Sequence, residues 1–95
     1  MTTQYDLIHN HHEQAVFSAV KSGAPAFPHL ADDDLLADIA CVALNRIPPR
    51  YIRHGVDLAF YLSDKERADN ERLIADAVGF AFEFVQARVA MRARG

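Results

Sequence analysis

The sequence has a single cysteine, Cys41, among 95 residues. An internal disulfide is therefore excluded, which fits a reducing cytoplasm. No apolar run approaches the ~20 residues that a membrane-spanning helix needs. The opening "MTTQYDLIHNHHEQ" lacks the apolar core of a signal peptide. Cytoplasmic localisation without membrane insertion is the expectation. The chain has no Gly-rich phosphate loop, and Ser18, Ser22 and Ser63 stand in no nucleophile motif. No enzymatic activity and no catalytic residue are expected. A formal net charge of −3 and the lack of a recognisable groove-reading helix oppose binding to DNA or another nucleic acid polymer.

What is present suits one globular domain over residues 1–95, with hydrophobic residues at 51%. Tyr5, Ile8, His12, Ala15, Val16, Ala19 and Val20 recur at helical spacing and predict a first helix from about Gln4 to Lys21. Ser22-Gly23, Pro25 and Pro28 then impose a loop, with Phe27 and Leu30 tucked against the core. A second helix starts near Asp32, where three consecutive aspartates suit the positive end of a helix dipole. Pro48 ends it at about Asn45 or Arg46. Ser63 with Glu66 three residues on forms a capping box for a last helix from about Asp64 to Arg92. Its apolar residues are too many for one stripe. Cys41 reads as filler on a buried helix face.

Between the last two helices lies "NRIPPRYIRHGVDLAFYL", Asn45 to Leu62. Val56, Leu58 and Phe60 alternate with Asp57, Ala59 and Tyr61, which predicts an extended segment over about 53–61. A lone strand cannot satisfy its own edges, and no partner within the chain is apparent. Pairing with the same strand of a second copy is expected. The fold class is thus mainly α, a small three-helix domain with one short extended segment shared across a homodimer.

Arg46, Arg50, Tyr51, Arg53 and His54 cluster around the stiff Pro48-Pro49 corner. One reading is a solvated turn with salt bridges to Asp38 or Glu66. The other is a site for a phosphorylated nucleotide, because arginine binds phosphate bidentately and stacks on bases. Tyr51 and Tyr61 are suited to stacking, and the Asp57 carboxylate to accepting guanine N1–H and N2–H₂. Near the N-terminus, His9, His11, His12 and Glu13 match no zinc spacing. They read as solvated or helix-packing residues, with no metal site.

Asp38-Ile39, Ala43-Leu44-Asn45, Ile47-Pro48-Pro49-Arg50-Tyr51 and the acidic-rich helix that follows resemble the late competence development protein ComFB family. The resemblance implies a small, mostly helical, dimeric protein and, for its ligand, a cyclic dinucleotide second messenger. For such a ligand the chemistry of the arginine-rich stretch makes Arg46, Arg50, Tyr51, Arg53, His54, Asp57 and Tyr61 the binding candidates. Cyclic di-GMP is expected over cyclic di-AMP, with no cofactor and with a protein partner downstream. The alternative is a competence or type IV pilus-related interaction module with no small ligand. Cysteine groups in some members look like metal ligands, but with Cys41 alone no structural zinc site carries over.

Overall fold

The structure, a computed structural model, describes residues 5–56, 58 and 62–94. Three helices dominate it: α1 (Glu13–Gly23), α2 (Asp33–Arg46) and α3 (Asp64–Arg94). Two short strands, β1 (His9–Asn10) and β2 (Tyr51–Ile52), pair antiparallel, with His9 opposite Ile52 and Asn10 opposite Tyr51. Single 3-10 turns lie at Tyr5–Leu7, Ala24–Ala26 and Pro28–Leu30.

The helix starts follow local chemistry. Asp32 is extended (φ −72°, ψ 136°), and its Oδ1 accepts from Asp34 N–H at 2.9 Å, as an N-cap does. Ser63 Oγ accepts from Glu66 N–H at 3.1 Å and caps α3. The α2 helix stops at Arg46 because Ile47, preceding Pro48, is held extended at φ −107°, ψ 130°.

The core lies where the three helices meet. Val16 of α1, Ile39 and Ala43 of α2, Ala81 and Val85 of α3, and Leu30 of the connecting loop are completely buried. Small Ala43 and Ala81 let α2 and α3 approach closely. Phe27 stacks on Phe82 with ring centroids 4.7 Å apart, which ties the proline-rich loop to α3. A Cβ on Gly23 would stand 2.9 Å from the Phe82 ring, so glycine permits the close approach of α1 to α3.

Several expectations are corrected. The first helix starts at Glu13, not near residue 4. Tyr5 and Ile8, expected on its apolar stripe, are exposed and lie before it. The extended piece is at Tyr51–Ile52, earlier than 53–61, and finds its partner in β1 of the same chain. Gly55, Val56 and Leu58 are helical, and Leu62 N–H donates to Leu58 C=O at 3.2 Å. A short apolar alternation fits one helical turn as well as a strand. Asp57, Ala59, Phe60 and Tyr61 lie outside the described residues. Cys41 is exposed rather than buried. Asp38 pairs with Arg88 of α3, Nη2 to Oδ2 3.3 Å, and not with an arginine of the corner.

Candidate functional site

The corner is fastened by Asn10. Its Oδ1 accepts from His12 N–H at 3.2 Å and from Arg50 N–H at 3.1 Å, while Arg50 C=O accepts from His11 N–H at 2.7 Å. Asn10 N–H donates to Glu13 Oε2 at 3.2 Å, so the segment that clasps the corner also starts α1. The stiff Pro48-Pro49 dipeptide and these four bonds fix the backbone at Arg50.

Strand alternation sends successive β2 residues to opposite sides of the clasp. Tyr51 is exposed and, with its cross-strand neighbour Asn10, borders a cavity of about 300 Å³ that Pro49, Ile47 and Asn45 also line. Ile52 and its neighbour His9 border a larger cavity of about 460 Å³ on the other side. His11, His12 and Gly55 line that cavity, and Arg67, Asn70 and Glu71 of α3 form its far wall.

Electrostatics join Arg50 to this cavity. Burial holds the His11 imidazole below its usual value, and the Arg50 guanidinium and then His9 push the same way. Burial likewise lowers His12, followed by His11 and Arg50. Both rings are therefore neutral at pH 7, and each keeps one N–H to donate.

The structure does not gather all the residues expected at the site. Arg50 stands at the clasp with Tyr51 beside it, and Arg53 and His54 follow as exposed residues. Arg46 turns the other way: its guanidinium carbon lies 3.6 Å from the centroid of the Phe80 ring, in a cation–π contact on α3. The end of α2 at Arg46 and the extended Ile47 separate the two side chains. Asp57 and Tyr61 lie outside the described residues. Sequence reasoning missed the contribution of the histidines. His12 is buried, and all three of His9, His11 and His12 face the larger cavity. The signal was "NHHE", Asn10 to Glu13, a polar cap pattern that starts a helix at this point.

A third concavity, about 530 Å³ and apolar, runs between α1 and α2 and is lined by Phe17, Val20, Leu36, Ala40, Cys41 and Leu44. Among the described residues no group of His, Cys, Asp and Glu could hold a metal ion. No helix among them is long and apolar enough to cross a membrane.

The architecture is that of a small three-helix domain closed by a two-stranded clasp around an arginine-bearing corner. The chain belongs to the late competence development protein ComFB family, whose model matches residues 9–89. That match runs from the first residue of β1 into the last turns of α3, and so takes in the whole clasp. No curated protein matches the chain significantly.

Proposed function

We propose that this ComFB-family protein is a non-enzymatic receptor for a cyclic dinucleotide, preferring cyclic di-GMP to cyclic di-AMP. It acts as a homodimer and passes its bound state to a protein partner. It needs no cofactor. The observation that carries this reading is the 460 Å³ cavity lined by His9, His11 and His12 and, on its α3 wall, by Arg67, with the Arg50 charge acting on His11 and His12. Its volume falls within the roughly 300–1,000 Å³ of small-molecule sites. Neutral imidazole N–H groups and a guanidinium suit a phosphodiester, and the guanidinium also stacks on a base. Glu71 on the α3 wall supplies a carboxylate, an acceptor-only group that suits the N1–H and N2–H₂ edge of guanine.

Thermal unfolding with and without cyclic di-GMP tests the reading. Ligand at 100 times its dissociation constant stabilises by about 2.7 kcal/mol. In a chain of this length that raises the midpoint by roughly 10 °C or more. No shift with cyclic di-GMP, cyclic di-AMP or their linear forms overturns it. It would leave the alternative, an interaction module without a small ligand, which the apolar groove between α1 and α2 favours.

A further inference from the structure

We propose that His12 is the anion-binding residue of the histidine cavity and takes up a proton when the ligand seats, so that acidification tightens binding. The identity of the ligand rests on the cyclic dinucleotide reading above, whereas the anion subsite stands on the geometry around His12.

His12 is 5% exposed and lines the 460 Å³ cavity. Buried polar side chains are normally hydrogen-bonded. Neither ring nitrogen of His12 has a hydrogen-bond partner among the described residues, and the ring does not cap α1 although His12 stands at its N-cap. Arg88 Nε is the one fully sealed side-chain nitrogen or oxygen without a partner among them, so the His12 nitrogens keep their access to the cavity. The other two rings are placed differently. His9 Nδ1–H donates to Leu7 C=O at 2.9 Å. His11 is half-buried and lies against His12, with ring centroids 5.6 Å apart and planes at 51°. His12 is thus the most buried of the three.

The surroundings identify the occupant as an oxyanion. Gln14 and Ala15, in the first turn of α1, line the same cavity. The N–H groups of a first turn lack intrahelical partners and carry the positive end of the helix dipole. The Arg50 guanidinium acts on His11 and His12 from the corner, and Arg67 brings a second guanidinium to the α3 wall. The carboxylates nearby are Glu13, whose Oε2 accepts from Asn10 N–H, and Glu71 on the α3 wall. No ion pair joins either of them to His12. A cation at this place would meet Arg50. An anionic oxygen would meet His12, the start of α1 and Arg50 together.

The proton follows from the same positions. In the free protein burial, then His11, then Arg50 hold the His12 imidazole below its usual value, so the ring is neutral at pH 7. A phosphodiester oxygen beside the ring favours the imidazolium and raises that value. Between the free and bound values the complex holds one more proton than its parts, and affinity rises as the pH falls. Above both values the coupling vanishes.

Calorimetry on the full chain measures cyclic di-GMP binding at pH 8, 7 and 6, and at pH 7 in two buffers of different ionisation enthalpy. Affinity should tighten by about 5-fold or more from pH 8 to pH 6, within the limit of about 10-fold per pH unit that one proton sets. The observed enthalpy should differ between the buffers. His12→Gln should remove both effects. An NMR titration of the His12 ring in the parent needs no variant, and cyclic di-GMP should raise the pKa that it reads. Sulfate, whose charge is constant over this range, serves as the anion alone. Cyclic di-GMP that binds equally at all three pH values, or proton uptake that survives in His12→Gln, overturns the proposal and leaves the receptor reading standing. If no cyclic dinucleotide binds but sulfate raises the His12 pKa, the anion subsite stands and the receptor reading falls. If no cyclic dinucleotide binds and sulfate leaves His12 unmoved, both fall.

Discussion

One oxygen, Oδ1 of Asn10, accepts from the backbone N–H of His12 at 3.2 Å and of Arg50 at 3.1 Å. It therefore joins the start of α1 to the Pro-Pro corner, and Asn10 is itself buried. Asn10→Ala leaves both donors without that acceptor, and an unsatisfied buried group costs about 1–3 kcal/mol. Asn10→Asp keeps the acceptor. In urea unfolding the alanine variant should lose about 2 kcal/mol or more, and the aspartate variant clearly less. Hydrogen exchange at the Arg50 amide should quicken in the alanine variant alone. A loss below about 0.5 kcal/mol for Asn10→Ala would show that the clasp does not hold the corner.

His11 and His12 make stability depend on pH. Burial and the nearby Arg50 guanidinium hold both rings below their usual value in the folded state. The unfolded chain takes up protons on them from about pH 6.5 downward, while the folded chain resists. Their contribution is therefore complete above about pH 6.5 and is lost as the pH falls from there through the lowered folded-state values. The melting temperature should drop between pH 7.5 and pH 5.5, and His12→Gln should flatten that slope. A slope identical in parent and variant would assign the pH dependence to other groups.

The elements that the sequence announces correctly are those whose signals are local. Asp32, Ser63 and Pro48 each act within one turn of the boundary they set: α2 begins and ends, and α3 begins, where they stand. The clasp was not legible in that way. β1 has two residues, and its partner lies about forty positions away, so no periodicity within it could show the pairing. Tyr5, Ile8 and His12 happen to fall at helical spacing, but the Asn10–Glu13 cap determines where α1 begins. At the site, sequence proximity grouped Arg46 with Arg50, and chain direction separates them. Phe82 and Phe84 show the same limit: they stand two residues apart on one helix, yet Phe82 is buried and Phe84 is 46% exposed. Adjacent apolar residues on a long helix are sorted by what packs on it.

The Asp38–Arg88 pair joins α2 to α3, but it should stabilise the fold little. The two side chains are 50% and 37% exposed, and water screens such pairs to about 0–1 kcal/mol. Arg88 Nε is buried with no hydrogen-bond partner, which works against the arginine. A double-mutant cycle with Asp38→Ala and Arg88→Ala should give a coupling below about 1 kcal/mol. Arg88→Met, which keeps the stem and removes the orphaned N–H, should be close to neutral in urea unfolding. A coupling of about 3 kcal/mol would make the pair a main fastening of the two helices.

Arg50 and Arg46, which the sequence places at equal rank, should differ in their effect on ligand binding. The Arg50 backbone is fixed by Asn10 and His11, and its charge reaches the histidines of the 460 Å³ cavity. The Arg46 guanidinium is engaged on the Phe80 ring instead. A charge-assisted contact to a phosphodiester contributes about 1.5–3 kcal/mol. Arg50→Ala should therefore weaken cyclic di-GMP binding by roughly 10- to 100-fold, read by calorimetry. Arg46→Ala should leave that affinity within about 3-fold of the parent, because a change of that size is well under 1 kcal/mol. Both variants need the same salt concentration, since phosphate contacts weaken as salt rises. Circular dichroism should be unchanged in each, because neither side chain is part of the buried core. If Arg46→Ala has the larger effect, the ligand lies on the α3 side of the corner and the histidine cavity is not the site.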